Sequence, residues 1–386
     1  YQKRFEHVLV DEFQDTNEVQ YLLLSLLTGK QGSITAVGDD DQSIYGWRGA
    51  KSSNINRFTK EYKKIVVIRL EQNYRSTQTI LDAANTVIRY NQGRMGKELW
   101  TKKKGGEPIS VYSAYNEKDE ADYVVGTIQS WISKGSSLDE TAILYRSNAQ
   151  SRVLEESILR EGLPYRIYGG LRFYERAEIK NGMSYIRLVF GREDDAAFER
   201  VINIPPRGIG AKTVSIIREK ARDDNCSLWK ASLALINQEE ITARAGQSLN
   251  SFMIELENLE SEVLGLELKD AVKHIIHRSS LIPHHSKEPG EKGKTRVENL
   301  EELISAAGSF EPNEHEQEIP ALKQFIDHAA LDAGEEQADE YEAAIQLMTL
   351  HSAKGLEFPL VLITGFEEGL FPHRLSLEDP EQLEEE

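Results

Sequence analysis

Apolar runs that stop abruptly at acidic or glycine-rich turns set the rhythm of the first part of the chain. Val8-Leu9-Val10 runs directly into Asp11-Glu12-Phe13-Gln14-Asp15, the pattern of a buried parallel strand whose end faces a ligand at the carboxyl edge of a sheet. Val19, Leu22, Leu23, Leu26 and Leu27 then share one helical face between Thr16 and Leu27, closed by Gly29. A short strand is predicted over Ser33–Val37, and it feeds a Gly- and Asp-rich loop from Gly38 to Ala50. Lys64–Leu70 reads as another strand, followed by Glu71-Gln72-Asn73-Tyr74-Arg75-Ser76, with Ser76 as N-cap of a helix over Ile80, Leu81, Ala84, Val87 and Ile88. Between Pro108 and Gly169 strands and helices alternate: a strand at Ile109–Ser113, a helix around Val124, Val125, Ile128 and Trp131, a strand at Thr141–Tyr145, and a helix through Leu154, Ile158 and Leu159. That is the βα repeat of a parallel sheet covered by helices. Near Tyr174 the period changes, and up to about Asp332 only helical stripes can be placed, such as Ile186 with Val189 and Phe190, or Val272 with Ile275 and Ile276. Strands return at Ala344–Met348 and Val361–Thr364.

The 386 residues are enough for two or three domains with sizeable cores. A formal net charge of -18 argues against a basic coat, so any nucleic-acid contact must be made in a local groove. One cysteine, Cys226, leaves no internal disulfide and no thiolate metal cage, which fits a reducing compartment. No long apolar run and no charged-then-apolar leader is present, so neither a membrane partner nor a signal peptide is expected, and the expected location is the cytoplasm. The chain opens almost inside a strand, as though cut from something longer.

Chemistry concentrates at the strand ends. Asp11 is placed to hold Mg²⁺ through its water shell, and Glu12 to orient and deprotonate a water attacking a γ-phosphate. Read alone, the same residues describe a strand ending at a solvated acidic turn. Gln42 stands where an amide can touch a terminal phosphate or the attacking water. Tyr45, Trp47 and Arg48 offer two flat faces and a cation to unstacked bases and a phosphate backbone, or else are core aromatics under a loop. Arg75 is placed to reach a γ-phosphate and Tyr74 to stack on a purine, although a surface ion pair is the ordinary use of a single arginine.

Taken jointly, DEFQD, GDDDQSIYGWRGA and LEQNYRS, each behind a strand-like run, resemble motifs II, III and IV of the superfamily 1 DNA helicases, closest to the UvrD/PcrA/Rep group. Thr349-Leu350-His351-Ser352-Ala353-Lys354-Gly355-Leu356-Glu357-Phe358 resembles motif V of that group. The likeness implies that His351 and Lys354 face the DNA backbone and that Glu357 bonds the nucleotide ribose. It likewise makes Arg146 and Asn148 similar to residues that touch the DNA strand. Pro205-Pro206-Arg207-Gly208-Ile209-Gly210-Ala211-Lys212-Thr213 resembles the group's GIG hairpin, in which Gly208 and Gly210 let backbone N–H groups approach a phosphate while Arg207 and Lys212 supply charge to a duplex backbone. A plain glycine turn between helices is the other reading.

The fold so implied is α/β: RecA-like core domains with an inserted, mostly helical accessory domain. Residues 1–72 would be part of the first core domain, 73–172 and 336–386 the second, and 173–335 the insertion. The implied activity is ATP- and Mg²⁺-dependent 3′ to 5′ translocation on single-stranded DNA and unwinding at single/double-strand junctions, in excision and mismatch repair alongside repair proteins. This chain would be a catalytically incomplete portion, since no Walker A loop occurs and Leu383-Glu384-Glu385-Glu386 stops short of the motif VI arginine. The alternative is a non-catalytic DNA-binding or regulatory fragment. Two features are set aside. Gly290-Glu291-Lys292-Gly293-Lys294-Thr295 ends like a Walker A loop, but Glu288 stands at its first glycine position and no buried strand precedes it, so an exposed turn is expected. His274, His277, His284 and His285 lack zinc spacing and are expected to be solvated.

Overall fold

A computed structural model describes the chain except residues 30, 31, 52, 63, 64, 92, 93, 104, 314–317, 335–337, 339–341 and 375. In chain order the main elements begin with β1 (His7–Val10), α1 (Glu18–Thr28), β2 (Ser33–Ala36), α2 (Ser53–Glu61), α3 (Gln78–Ile88), α4 (Glu117–Ser133), β3 (Thr141–Tyr145), α5 (Ser151–Arg160) and β4 (Tyr165–Ile167). A helical run follows: α6 (Ala177–Phe190), α7 (Asp195–Val201), α8 (Ala211–Asp223), α9 (Leu228–Asn237), α10 (Ala243–Val263), α11 (Leu268–Arg278), α12 (Leu281–His285), α13 (Glu291–Ser309) and α14 (Ala321–Gly334). The chain closes with β5 (Ile345–Thr349), β6 (Leu360–Ile363) and α15 (Pro380–Glu385). The protein is therefore α/β with parallel sheets and many helices. Its contacts gather into two compact units, residues 1–120 with 353–359 and 363–386, and residues 121–352 with 360–362.

In the first unit, β1 and β2 pair in parallel, His7 opposite Ser33 and Val10 opposite Ala36, with α1 as the crossover. The helix starts at a capping box, two residues later than expected. Asn17 accepts the Gln20 N–H at 2.9 Å and Gln20 returns a bond to the Asn17 N–H at 2.9 Å. β1 is half-buried on the face of Val8 and Val10 and open on the other, where Leu9 is 80% exposed, which corrects the expectation of a buried strand. Phe13, Tyr21 and Phe58 form the small core of this unit.

Two expected strands are not seen among the described residues: 65–70 and 109–113 belong to no ladder there, and Val66, Ile68, Leu70 and Val111 are exposed. Lys64 lies outside the described residues. Ser76 is not a cap either. α3 follows Thr77, and the Asn73 carboxamide instead accepts the N–H groups of Arg75 and Ser76 at 2.9 and 2.8 Å, closing a local turn before the helix.

In the second unit the sheet order is β4-β5-β3-β6. β3 and β4 both run parallel to β5, with Ile143 opposite Leu347 and Ile167 opposite Leu347 on the other side. All five residues of β3 are buried, as a doubly covered strand requires, and α4 and α5 close one core around Val124, Ile128, Ile143 and Ile158. β4, only three residues long, went unseen in the hydrophobic pattern. Helices α6 to α14 surround a larger core that includes Ile186, Phe252, Leu256, Ile275 and Leu303, and no strand interrupts them among the described residues.

The entry into this helical part is packed: Phe173 and Tyr174 are buried, and Arg172 donates to the Tyr165 hydroxyl at 2.7 Å. Charged groups join α5 to α13. Arg152, itself buried, bonds Glu302 at 2.5 Å and Glu156 at 2.9 Å, while Arg176 bonds the Asn148 carbonyl, Asn299 and Ser151. Much of the return crossing near 335–341 lies outside the described residues.

Candidate functional site

The carboxyl end of β1 carries the first group of candidates. Asp11 is exposed, and its Oδ1 accepts the Glu12 N–H at 2.9 Å. Glu12 adopts φ 49° and ψ 44°, a left-handed conformation that a non-glycine residue holds at a cost, and such outliers gather at functional sites. Its Oε2 accepts the Gln14 side-chain N–H at 2.6 Å. Gln14, fully buried, also accepts the Asp39 N–H at 2.9 Å. Asp39 in turn caps the short turn that bears Gln42, taking the Asp41 N–H at 3.0 Å and the Gln42 amide at 2.7 Å. The ends of the two paired strands are thus one hydrogen-bonded network. Gly38 permits it: a Cβ there would lie 2.5 Å from Gln14 Oε1.

Lys354 joins the same cluster. Its ammonium bonds Asp15 at 2.6 Å and the Gln42 carbonyl at 2.9 Å, lies 3.4 Å from Glu12, and sits 5.3 Å from the centre of the Tyr45 ring. Beyond it, Arg48 lies over both Tyr45 and Trp47, at 5.0 and 4.4 Å from their ring centres, and Trp47 is 43% exposed. Arg75 and Glu357, expected at opposite ends of a nucleotide, form an ion pair at 2.6 Å, and Tyr74 beside them is exposed.

Asp11, Glu12 and Asp15 bring to this end the oxygen donors that a hard divalent cation takes, with Lys354 bonded to the other oxygen of Asp15. Asp15 Oδ1 is buried without a hydrogen-bond partner, an oxygen left unsatisfied among acids that suit a hard, oxygen-seeking ion. Magnesium characteristically takes one or two carboxylates and completes its shell with water and phosphate oxygens.

The second unit holds the remaining candidates. Asn148 begins a short turn before α5 that is capped by Ser147, and Gln150 accepts the N–H groups of Arg146 and Ser147 at 3.0 and 2.8 Å. His351 follows β5 in a turn closed by Thr349 and Ser352. In the hairpin before α8, Asn203 accepts the N–H groups of Arg207 and Ile209, Gly208 has φ +77°, and Gly210 is the N-cap. Gly208, Gly210 and Lys212 are exposed. Arg207 turns inward, bonding the Tyr185 hydroxyl at 2.7 Å and Glu255 at 3.1 Å over the Phe252 ring.

Comparison with known proteins decides the family. A model of the UvrD-like helicase C-terminal domain matches residues 68–386, and one of the UvrD/REP helicase N-terminal domain matches residues 1–63. The chain belongs to the UvrD-like helicases. It is 53% identical over its whole length to DNA helicase II of Escherichia coli (strain K12), covering 54% of that protein, and 50% identical to DNA helicase II of Haemophilus influenzae, covering 53%. ATP-dependent DNA helicase PcrA of Staphylococcus aureus (strain COL) is 41% identical over 388 aligned residues, with 53% of it covered. The chain spans about half the length of the curated relatives it matches. No helix among the described residues is long and apolar enough to cross a membrane.

The two features set aside earlier take different forms within this UvrD-like chain. Glu291 to Thr295 form the first turn of α13 rather than an exposed loop. His285 is buried, not solvated; its Nδ1 lies 2.7 Å from Glu288 Oε1, which also accepts Arg296 at 2.6 Å. With that oxygen taken by a guanidinium, the His284–His285–Glu288 group is a charge network and not a cation cage. Gln14, Asp15 and Asp39 are the network members that motif spacing did not single out. Their only sequence signal was proximity to the acidic turns.

Proposed function

We propose that this chain is part of an ATP-dependent DNA helicase that moves 3′ to 5′ along single-stranded DNA and opens duplexes at single/double-strand junctions during DNA repair, in the cytoplasm and in company with repair proteins. The observation that carries this reading is Lys354, whose single ammonium touches the acids of the β1 end, the Gln42 carbonyl and the Tyr45 ring. Phosphate chemistry and strand grip would share that contact.

Asp11 would hold Mg²⁺ with water and phosphate oxygens, Glu12 would accept the proton of the attacking water, and Gln42 would orient that water against the γ-phosphate. When bound, Mg²⁺ supplies neutralisation of charge developing on the phosphate oxygens. Arg75 would exchange its ion pair with Glu357 for the γ-phosphate, freeing Glu357 for the ribose, while Tyr74 stacks on the purine. Tyr45, Trp47 and Arg48 would hold the single strand, joined by Arg146, Asn148, His351 and Lys354 along its backbone. The exposed N–H groups at Gly208 and Gly210, with Lys212, would meet a duplex backbone without reading its sequence, and Arg207 would brace their hairpin from inside.

The 386-residue chain alone is proposed to be catalytically incomplete, because no glycine loop with its lysine is available to hold the phosphates. The test uses a protein of the relatives' full length carrying this sequence, given partial duplexes with either a 3′ or a 5′ single-stranded tail. ATP-dependent strand release from the 3′-tailed substrate is expected. Release from the 5′-tailed substrate alone, or release without ATP, would contradict the proposal.

A further inference from the structure

Asp39, Asp40 and Asp41 stand side by side on the turn that bears Gln42, and three adjacent carboxylates repel one another and any phosphate brought near. The chain answers all three from one place more than fifty residues away. Arg94 grips Asp41 through two bonds, Nε to Oδ1 at 2.9 Å and Nη2 to Oδ2 at 2.5 Å. The Met95 N–H donates to Asp40 at 2.6 Å. Lys97 bonds Asp39 and lies 3.5 Å from Asp41. The grip is itself braced, because Arg94 also donates to the Lys97 carbonyl at 3.2 Å and Gly96 takes φ +72° to turn the chain between them. Arg94, Lys97 and Asp41 are all largely shielded from water, where charge-assisted and two-pronged bonds are strongest.

Asp39 is the member that leads onward. While Lys97 holds its carboxylate, the same group takes the Gln42 amide at 2.7 Å, and its backbone N–H reaches the buried Gln14, whose amide holds Glu12 at 2.6 Å. Gln14 has no rotational freedom to spare, since it is fully buried with both ends of its amide engaged. Moving Asp39 therefore moves both Gln42 and Glu12.

We propose that the turn Arg94–Lys97 is a positioning element for phosphate chemistry: it clamps the acid triplet and, through Asp39 and Gln14, fixes the places of Gln42 and Glu12. Arg94 and Lys97 touch no reacting atom themselves. The same clamp keeps the triplet from serving as a cation site, because each of its carboxylates already has a donor. The catalytic half of this proposal rests on reading Glu12 and Gln42 as the hydrolysis residues; the structural half does not.

Two readouts separate those halves. In the 386-residue chain, the side-chain amide signals of Gln14 and Gln42 are followed by NMR in Lys97→Met, Asp39→Asn and Lys97→Arg, with melting temperature as the check on folding. Both signals should shift together in Lys97→Met and Asp39→Asn and return toward wild type in Lys97→Arg. In the protein of the relatives' full length, Lys97→Met should lower kcat for DNA-stimulated ATP hydrolysis by about 10²-fold, the scale of a misplacement near 1 Å, with KM for ATP little changed. Lys97→Arg should recover most of that loss. Unmoved glutamine signals in a folded Lys97→Met chain would overturn the clamp. Shifted signals with unchanged kcat would overturn its catalytic role. If the wild-type protein hydrolyses no ATP, the reading of the hydrolysis residues fails, and the NMR signals alone decide the clamp.

Discussion

The two compact units solve opposite problems. The second buries apolar stripes from the helices α6 to α14 around one core, and where it must bury charge it does so in pairs, as with Arg152 between Glu156 and Glu302. The first has a small aromatic core and leaves the α1 stripe open, with Val19, Leu22, Leu23 and Leu26 exposed. Its order comes instead from polar networks at strand ends. One unit is held by packing, and the other carries strain at Glu12, an orphaned carboxylate oxygen at Asp15 and clustered acids, features that cost stability and suit chemistry.

That contrast can be broken by substitution. Arg152→Ala should have the largest effect, about 3 to 5 kcal/mol in denaturant unfolding, because it leaves Glu302 and Glu156 without their cation. Equal stability of the variant would show that the α5–α13 junction is not held by this charge. Leu256→Ala, at a fully buried position of the helical core, should cost about 2 to 5 kcal/mol through the cavity it leaves. Trp47→Ala should leave the melting curve alone and weaken single-strand affinity by about 1 to 3 kcal/mol, with an almost unchanged salt slope. An unaltered affinity at several salt concentrations would remove Trp47 from the strand path. Leu22→Ala, on the open face of α1, should stay within about 0.5 kcal/mol, and a loss comparable to that at Leu256 would mean the two units are not so different.

A pH series sharpens the same comparison. Burial pushes the Glu155 carboxyl above its ordinary value, against the opposing pull of Arg176, bonds from Ser151 and the Phe173 N–H, and the charge of Arg172. A pKa raised by folding contributes stability that is fully present below the unfolded value and is lost as pH rises through the folded one. The second unit should therefore lose stability on going from acid toward neutral pH through this group, and Glu155→Gln should flatten that part of the profile. An identical profile in the variant would show that Glu155 is not the group responsible.

Much of this was legible in the chain, for reasons that differ by region. The helical stripes from Ile186 to Ile276 and the strand Thr141–Tyr145 were readable because they are covered on the side their pattern declares, apart from Phe190, which is 43% exposed. Residues 65–70 and 109–113 were also read as strands, but pairing is a property of neighbours, and among the described residues neither joins a ladder. β4 was too short to show a period. Asp11 and Glu12 drew notice by following an apolar strand, and Gln42 by its place in the Asp-rich loop after β2. Arg94 and Lys97 did not, because an ordinary basic pair beside a glycine gains meaning only from Asp39 and Asp41, which are distant in sequence. The charges before α6 were equally silent, since Arg152, Arg172 and Arg176 gain meaning only from partners such as Glu302 and Tyr165.

The account turns on Glu12 as the base of a nucleotide-hydrolysing site built at the end of β1. In a protein of the relatives' full length, the decisive measurement is DNA-stimulated ATP turnover beside ATP binding for the wild type and for Glu12→Gln, which keeps the size of the side chain and removes its basicity. The account predicts a fall in turnover of about 10² to 10⁴, the worth of a positioned general base, with ATP still bound. Wild-type turnover in a folded Glu12→Gln protein would contradict it.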